Sequence, residues 1–395
     1  MDLHKYTTLL AALHAVPDPR QARGKRHAWP LILTLIVAAL ASGQKNVRGI
    51  AQWAGLHATE ILNLLALDVP RLPSASTFYR ALRTVDIDAL EARLAEYNQA
   101  LPPPSDADTG EVTLRTGETV QGQAVDGKEV RGASAHGQKV KLVSLVTHGS
   151  GRTLAQTRVA VGRGEATTVP GLLLGRDLRG TVTTMDAGFT KRPLAQQIID
   201  QHGHYLIVVK RNQRDLYDAI ALVFDQPAAL CWLPREQAAN YRRYCSPNKG
   251  HGRLETRTLE STPYLNEYLA WPGLGQVMRR TCQRIDLKTG KVSRETTYGL
   301  TSLSWDQADA QHLERLWRAH WTIENRSHYV RDETLGEDRC QVRVGAAPQA
   351  LAAIRNSLIS LLRHKGWTNI AEALRYCGAS VDNALGLLGV VPVGL

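Results

Sequence analysis

Between Gln121 and Lys210 the chain switches repeatedly between strand and helix periodicity, and the order of the switches leaves few ways to fold it. "QAVDGKEVRG" (123–132), "KVKLVSLVTH" (139–148) and "TLAQTRVAV" (153–161) are β-rich, and "GSGR" supplies a hairpin turn between the last two. A helix is expected in "ATTVPGLLLGRDL", followed by the strand "GTVTTMD" (180–186), the helix "RPLAQQIIDQHG" and the strand "HYLIVVK" (204–210). Strand, strand, strand, helix, strand, helix, strand predicts an antiparallel hairpin extended by crossover strands, with helices on the faces of the sheet.

That order belongs to a ribonuclease-H-like α/β core, one helix short. Residues 211–305 interrupt it with partly β segments such as "RLETRTLEST" and "RETTYGLTSL", and only then does a long helix carrying "HWTIEN" (320–325) follow. The interruption reads as an insertion domain placed before the last core helix. Upstream, "PSASTFYRALRTVDIDALEARL" opens with Pro73 and a Ser/Thr cluster that can cap a helix. This suits a helix-turn-helix-like module presenting Ser76, Thr77 and Arg80 to DNA, and a plain helical bundle fits the same pattern. "LPPPSDADTG" (101–110) has the composition of a linker. The expected division is a helical DNA-binding domain (1–98), a linker (99–120), the first part of the core (121–210), the insertion domain (211–305), and the last core helix with C-terminal helices (306–395).

Open α/β sheets place their chemistry at the carboxyl ends of strands. Asp126 ends "QAVD" just before Gly127, and Asp186 ends "VTTMD". If those strands are adjacent and parallel, the two carboxylates lie side by side. Either aspartate alone is more simply a turn former or a helix N-cap; the pair in this fold favours function. In the last helix, at about 100° per residue, Leu313, Leu316, Trp317, His320, Trp321, Ile323 and Val330 share one arc with Glu324 in its middle. An unpaired carboxylate there is expensive. Facing the strand ends, it would complete a cluster of three carboxylates, and oxygen-only donors of this kind suit Mg²⁺ or Mn²⁺. Two such ions would serve phosphodiester chemistry. The alternative is an ion pair of Glu324 with His320 or His328. Lys128, Lys210, Arg211, Arg331 and Arg339 stand beside these motifs, where they can grip phosphates.

The balance of 48 Lys and Arg against 37 Asp and Glu, a net charge of +11, agrees with a polyanionic partner, although a basic protein kept soluble by its charge would read the same. Five cysteines without a CxxC pair argue against a zinc site or a disulfide framework, and a reducing cytosol fits them best. The apolar run "PLILTLIVAALASG" (30–43) falls short of the ~20 residues a bilayer requires, so it predicts a buried helix.

In these motifs the chain resembles the DDE transposases of bacterial insertion sequences, and within them the H-repeat-associated branch. The likeness is carried by "VPDPRQARGKRH", "GIAQWAG", "PSASTFYRAL", "AVDGKEVRG", "TMDA", "YLIVVKRNQ", "HGRLETR", "WPGLGQV" and "HWTIENRSHYVRDETLGEDR". The resemblance implies that Asp126, Asp186 and Glu324 form a metal-binding catalytic triad on a ribonuclease-H-like fold, with two Mg²⁺ (or Mn²⁺) ions per site. It also implies cutting at the ends of an element and joining them to target DNA. Double-stranded DNA would be the partner, as terminal inverted repeats and as target, with at least a dimer on DNA and a cytoplasmic, nucleoid-associated location. Asn212, in "VKRNQ", joins the expected DNA contacts. In the wider group the glutamate is flanked by a tyrosine seven before it, an arginine four before it and a lysine seven after it. Here Trp317, His320 and Arg331 stand in those places, and only Arg331 keeps the charge. Two rivals share much of this pattern: a transposase-derived DNA-binding regulator and a stand-alone metal-dependent nuclease.

Overall fold

In the computed structural model, which describes residues 8–21, 25–102, 109–133, 139–225, 241–250 and 252–390, the chain is a mixed α/β protein with many helices. Pro103 and Pro104 of the expected linker, and Cys231, lie outside the described residues. In chain order the strands are β1 (Glu111–Thr113), β2 (Thr119–Glu129), β3 (Lys141–Thr147), β4 (Thr153–Arg158), β5 (Thr181–Met185), β6 (His204–Val209), β7 (Arg242–Gly250), β8 (Arg253–Thr262), β9 (Gln276–Asp286) and β10 (Val292–Thr301). The chain divides into two compact units, one of residues 1–109, 127–164 and 322–395, the other of residues 110–126 and 165–321.

The first unit is largely helical. The apolar run at its start forms the helix Trp29–Ala41, buried around almost its whole circumference, as expected of a helix apolar on every side. Pro30 sits in its first turn, where a missing N–H costs nothing. No described helix is long and apolar enough to cross a membrane. Leu90 and Leu94 of the helix Ile87–Ala100 share this core with Leu351, Ile354 and Leu358 of the helix Ala347–His364. β3 and β4 form the expected antiparallel hairpin, turning through Gly149 and Gly151, both at positive φ. The helix Ala75–Thr84 starts after Ser74, but the expected cap is absent. The Ser74 hydroxyl meets those of Ser76 and Thr77 at 3.0 and 3.2 Å instead of a backbone N–H.

The second unit is built on a mixed sheet. β2, β5 and β6 run parallel, β1 pairs with β2, and β10, β9, β8 and β7 continue antiparallel from β6. Residues expected to form an insertion thus supply four strands to the same sheet, with Tyr298 opposite Val209 at the join. The helix Ala310–Ala319, held at its start by an Asp309/His312 capping box, lies on this sheet. Trp317 occupies the space above Gly299, where a Cβ would come within 2.8 Å of its ring. Arg280 forks onto Glu314 of the same helix at 2.8 Å through both bonds.

The single long helix expected through "HWTIEN" does not form. The α-helix ends at Ala319, and after a turn the chain continues in wider π turns, Ile323–His328 and Val330–Thr334. Here Tyr329 N–H bonds the Glu324 carbonyl and Leu335 N–H bonds that of Val330, five residues back. The turn and the change of pitch after it break the arc drawn at α-helical spacing, and Trp321, in that turn and expected inward, is 58% exposed.

Candidate active site

β2 and β5 are adjacent and parallel, paired from Gln121↔Thr181 to Val125↔Met185. The next residue on each is an aspartate, so Asp126 and Asp186 leave the paired stretch at the same level, on strands spaced ~4.8 Å apart. Both are half-buried. Asp186 opens a short 3-10 turn, Ala187–Phe189, yet its side chain caps nothing there. Its carboxylate accepts instead from Lys210 Nζ at 3.1 and 3.2 Å. Lys210 follows β6, the other parallel neighbour of β5, so three neighbouring strands bring two carboxylates and an ammonium toward one end of their parallel pairing; β2 does not end at Asp126 as expected but runs on through Gly127 to Glu129.

Buried polar side chains brace this edge. Gln123 Nε2 donates to Thr183 Oγ1 at 2.8 Å, and Thr184 Oγ1 donates to the Gln123 carbonyl at 3.1 Å and meets His320 Nδ1 at 2.9 Å. Thr190 Oγ1 donates to the carbonyls of Ala187 and Val208, and Asn212 Nδ2 donates to the same Ala187 carbonyl at 2.9 Å. Asn212, expected at DNA, therefore fixes the turn after Asp186. Thr183 and Thr184 were missed by sequence reasoning; the signal was three threonines in the five-residue strand "TVTTM", two of them adjacent and buried.

Glu324 lies in the first unit, in the first π turn, with its side chain half exposed. His328 Nδ1 stands 3.0 Å from its Oε2, so one of the two expected histidine partners is present, while His320 turns to Thr184. The hydrogen bond from His328 holds the Glu324 carboxyl below its usual range. Burial opposes this, and the charges of His328, Lys128 and Arg131 reinforce it. A carboxylate ionised at neutral pH is the form that binds a cation.

The expected phosphate contacts separate into two groups. Arg331 is fully buried, its guanidinium forked onto Glu337 at 3.0 and 2.6 Å, and cannot reach a phosphate without dismantling that pair. Lys128 is nearly as enclosed, its ammonium hydrogen-bonded to Asp332 and 3.8 Å from Asp338. In both placements acidic residues downstream of Glu324, between Asp332 and Asp338, occupy the basic side chain that was expected at a phosphate. Arg339 remains exposed, 3.6 Å from Glu333, and Arg211 lies over the Tyr217 ring at 5.1 Å. Ser76 and Arg80 are exposed on the helix Ala75–Thr84, with Thr77 partly so.

Residues 119–361 match the family model described as the transposase DDE domain, and residues 10–98 match the one described as DDE_Tnp_1-associated. Among curated relatives, YncI of Escherichia coli O157:H7, which carries the name of a transposase, is 27% identical over 368 residues, 90% of this chain and 87% of that one. A protein of Xanthobacter autotrophicus, named only for its place in the dhlA 3' region, is 30% identical over 74% of this chain and 93% of its own. YhhI of E. coli K12, named as an H repeat-associated transposase, is 25% identical over 92% of this chain and 91% of its own. Among solved structures, piggyBac transposase in a synaptic complex with hairpin DNA superposes with a TM-score of 0.42 at 11% identity, over 95% of this chain and 80% of that one.

Proposed function

Because the chain belongs to the transposase DDE domain family and is a DDE transposase, we propose that Asp126, Asp186 and Glu324 are its catalytic carboxylates, acting on the DNA ends of an insertion sequence. The observation that carries this reading is the parallel register that brings Asp126 and Asp186 level on neighbouring strands. In the same reading β2 to β6 form a ribonuclease-H-like core, residues 211–305 are an insertion within it, and the helices of residues 1–98 recognise terminal repeats through Ser76, Thr77 and Arg80. Two protomers or more would hold a pair of DNA ends.

The donor set fits a hard divalent cation. It offers carboxylate oxygens, one of them already neutralised by an ammonium and another kept ionised by a histidine. Mg²⁺ or Mn²⁺, two per site, would lower the pKa of an attacking water or 3′-hydroxyl and stabilise the departing oxygen. The residues themselves do the rest. Thr183, Thr184 and Gln123 lock the strands that aim the aspartates. His328 orients Glu324 and keeps it deprotonated. In this reading Lys210 and the exposed Arg211 and Arg339 meet the backbone phosphates.

Incubating the protein with Mg²⁺ and a labelled terminal repeat tests the reading. Joined products support it. Cleavage without joining indicates a nuclease, and shifted but uncut DNA indicates a binding protein.

A further inference from the structure

The segment that carries Glu324 is built of π turns, which are wide and seldom persist without tertiary support. Its support is a buried ionic cluster. Arg331 lies in the second π turn, and Gly336, at φ 63°, reverses the chain so that Glu337 faces back onto it. Arg355, in the middle of the helix Ala347–His364, reaches the same carboxylate at 3.3 Å and donates to the Lys45 carbonyl at 2.9 Å. Arg331 Nη1 also approaches Gln156 Oε1 on β4, an oxygen that Asn356 Nδ2 bonds at 2.9 Å. Arg331 and Glu337 have no solvent exposure and Arg355 has 1%.

We propose that Arg331, Glu337 and Arg355 are positioning residues that set the rotation of the π-turn segment and so aim Glu324, a proposal that rests on Glu324 being a catalytic carboxylate. A carboxylate buried between two guanidinium groups adds little net stability over apolar side chains of similar volume. What it adds is direction, because each guanidinium fork fixes the plane of the group it grips. The cluster ties the π turns to three other elements by such directional bonds, seven residues beyond the glutamate and away from solvent.

The test compares wild type with the triple variant Arg331→Met, Glu337→Leu, Arg355→Met, using a terminal-repeat duplex and Mg²⁺. Expected are a melting temperature within a few degrees of wild type, a single-turnover cleavage rate at saturating DNA reduced at least tenfold, a half-saturating DNA concentration unchanged within twofold, and faster amide exchange across residues 322–334. A weakened DNA affinity with an unchanged rate would make Arg331 a phosphate contact and overturn the proposal. Unchanged rate and unchanged exchange would overturn it equally. If the triple variant fails to fold, Arg331→Lys, which keeps the charge and loses the fork, is read by the same rate and affinity. If wild type itself cleaves nothing, the catalytic reading of Glu324 is what has failed.

Discussion

At the scale of single residues, charge decides most outcomes. Asp186→Asn and Glu324→Gln keep the size of each side chain and remove the anion; each is expected to lower end cleavage on the order of 10³-fold while DNA binding changes little, measured by product formation and mobility shift. A second test concerns Glu91, whose carboxyl accepts from Gln156 Nε2 at 2.9 Å. Burial pushes its pKa up to about 7, with the hydrogen bonds of Gln156 and Gln349 opposing. The folded state therefore holds a proton that the unfolded chain releases, so this contribution is present below the unfolded value and fades as pH rises through about 7. Glu91→Gln should match wild type in thermal melts at pH 4 and exceed it at pH 8, by on the order of 1–3 kcal/mol. The level pairing of the strands that carry the two aspartates was legible from alternation and, at Asp186, from the strand end; the continuation of β2 past Asp126 to Glu129 was not. Arg331 was not, since a basic residue facing a phosphate and one forked onto a buried glutamate look alike until Glu337 and Arg355 are placed around it.

At the scale of elements, close approach of backbones is the sharper constraint. A Cβ on Gly132 would stand 2.4 Å from the Cys340 carbonyl and 2.8 Å from that of Asp338, so the turn after β2 fits against residues 337–340 only as glycine. Gly132→Ala is expected to destabilise the first unit by roughly 2 kcal/mol or more through backbone displacement. Gly55, inside the helix Val47–Leu56 with open space around it, is the control. Gly55→Ala should stabilise the same unit by about 0.5–1 kcal/mol, read in the same denaturation experiment. Strands and short helices from β2 to β6 were legible because alternation and helical spacing are local properties. The π turns were not, because a pattern drawn at the α-helical angle runs straight through the turn that holds Trp321 and the wider pitch that holds Glu324, and places both on an inner face.

At the scale of the whole molecule, the net charge of +11 should show as salt sensitivity. Affinity for an unrelated duplex is expected to fall at least tenfold between about 50 and 200 mM salt, measured by fluorescence anisotropy, while the preference for terminal repeats persists. The presence of strands in residues 211–305 was legible, and their place in the sheet was not. Pairing of Tyr298 with Val209 is set by contacts distant along the chain, about which local composition is silent. The same long reach bears on timing. Gln123 and Thr183, which lock the aspartate-bearing strands, are 60 residues apart, and Arg355 lies further along still. While the ribosome is still adding residues 322–364, the nascent polypeptide has both aspartates but not the helix that holds the segment of Glu324, so if the three carboxylates act together as proposed, fragments left by stalled or truncated translation should leave DNA uncut.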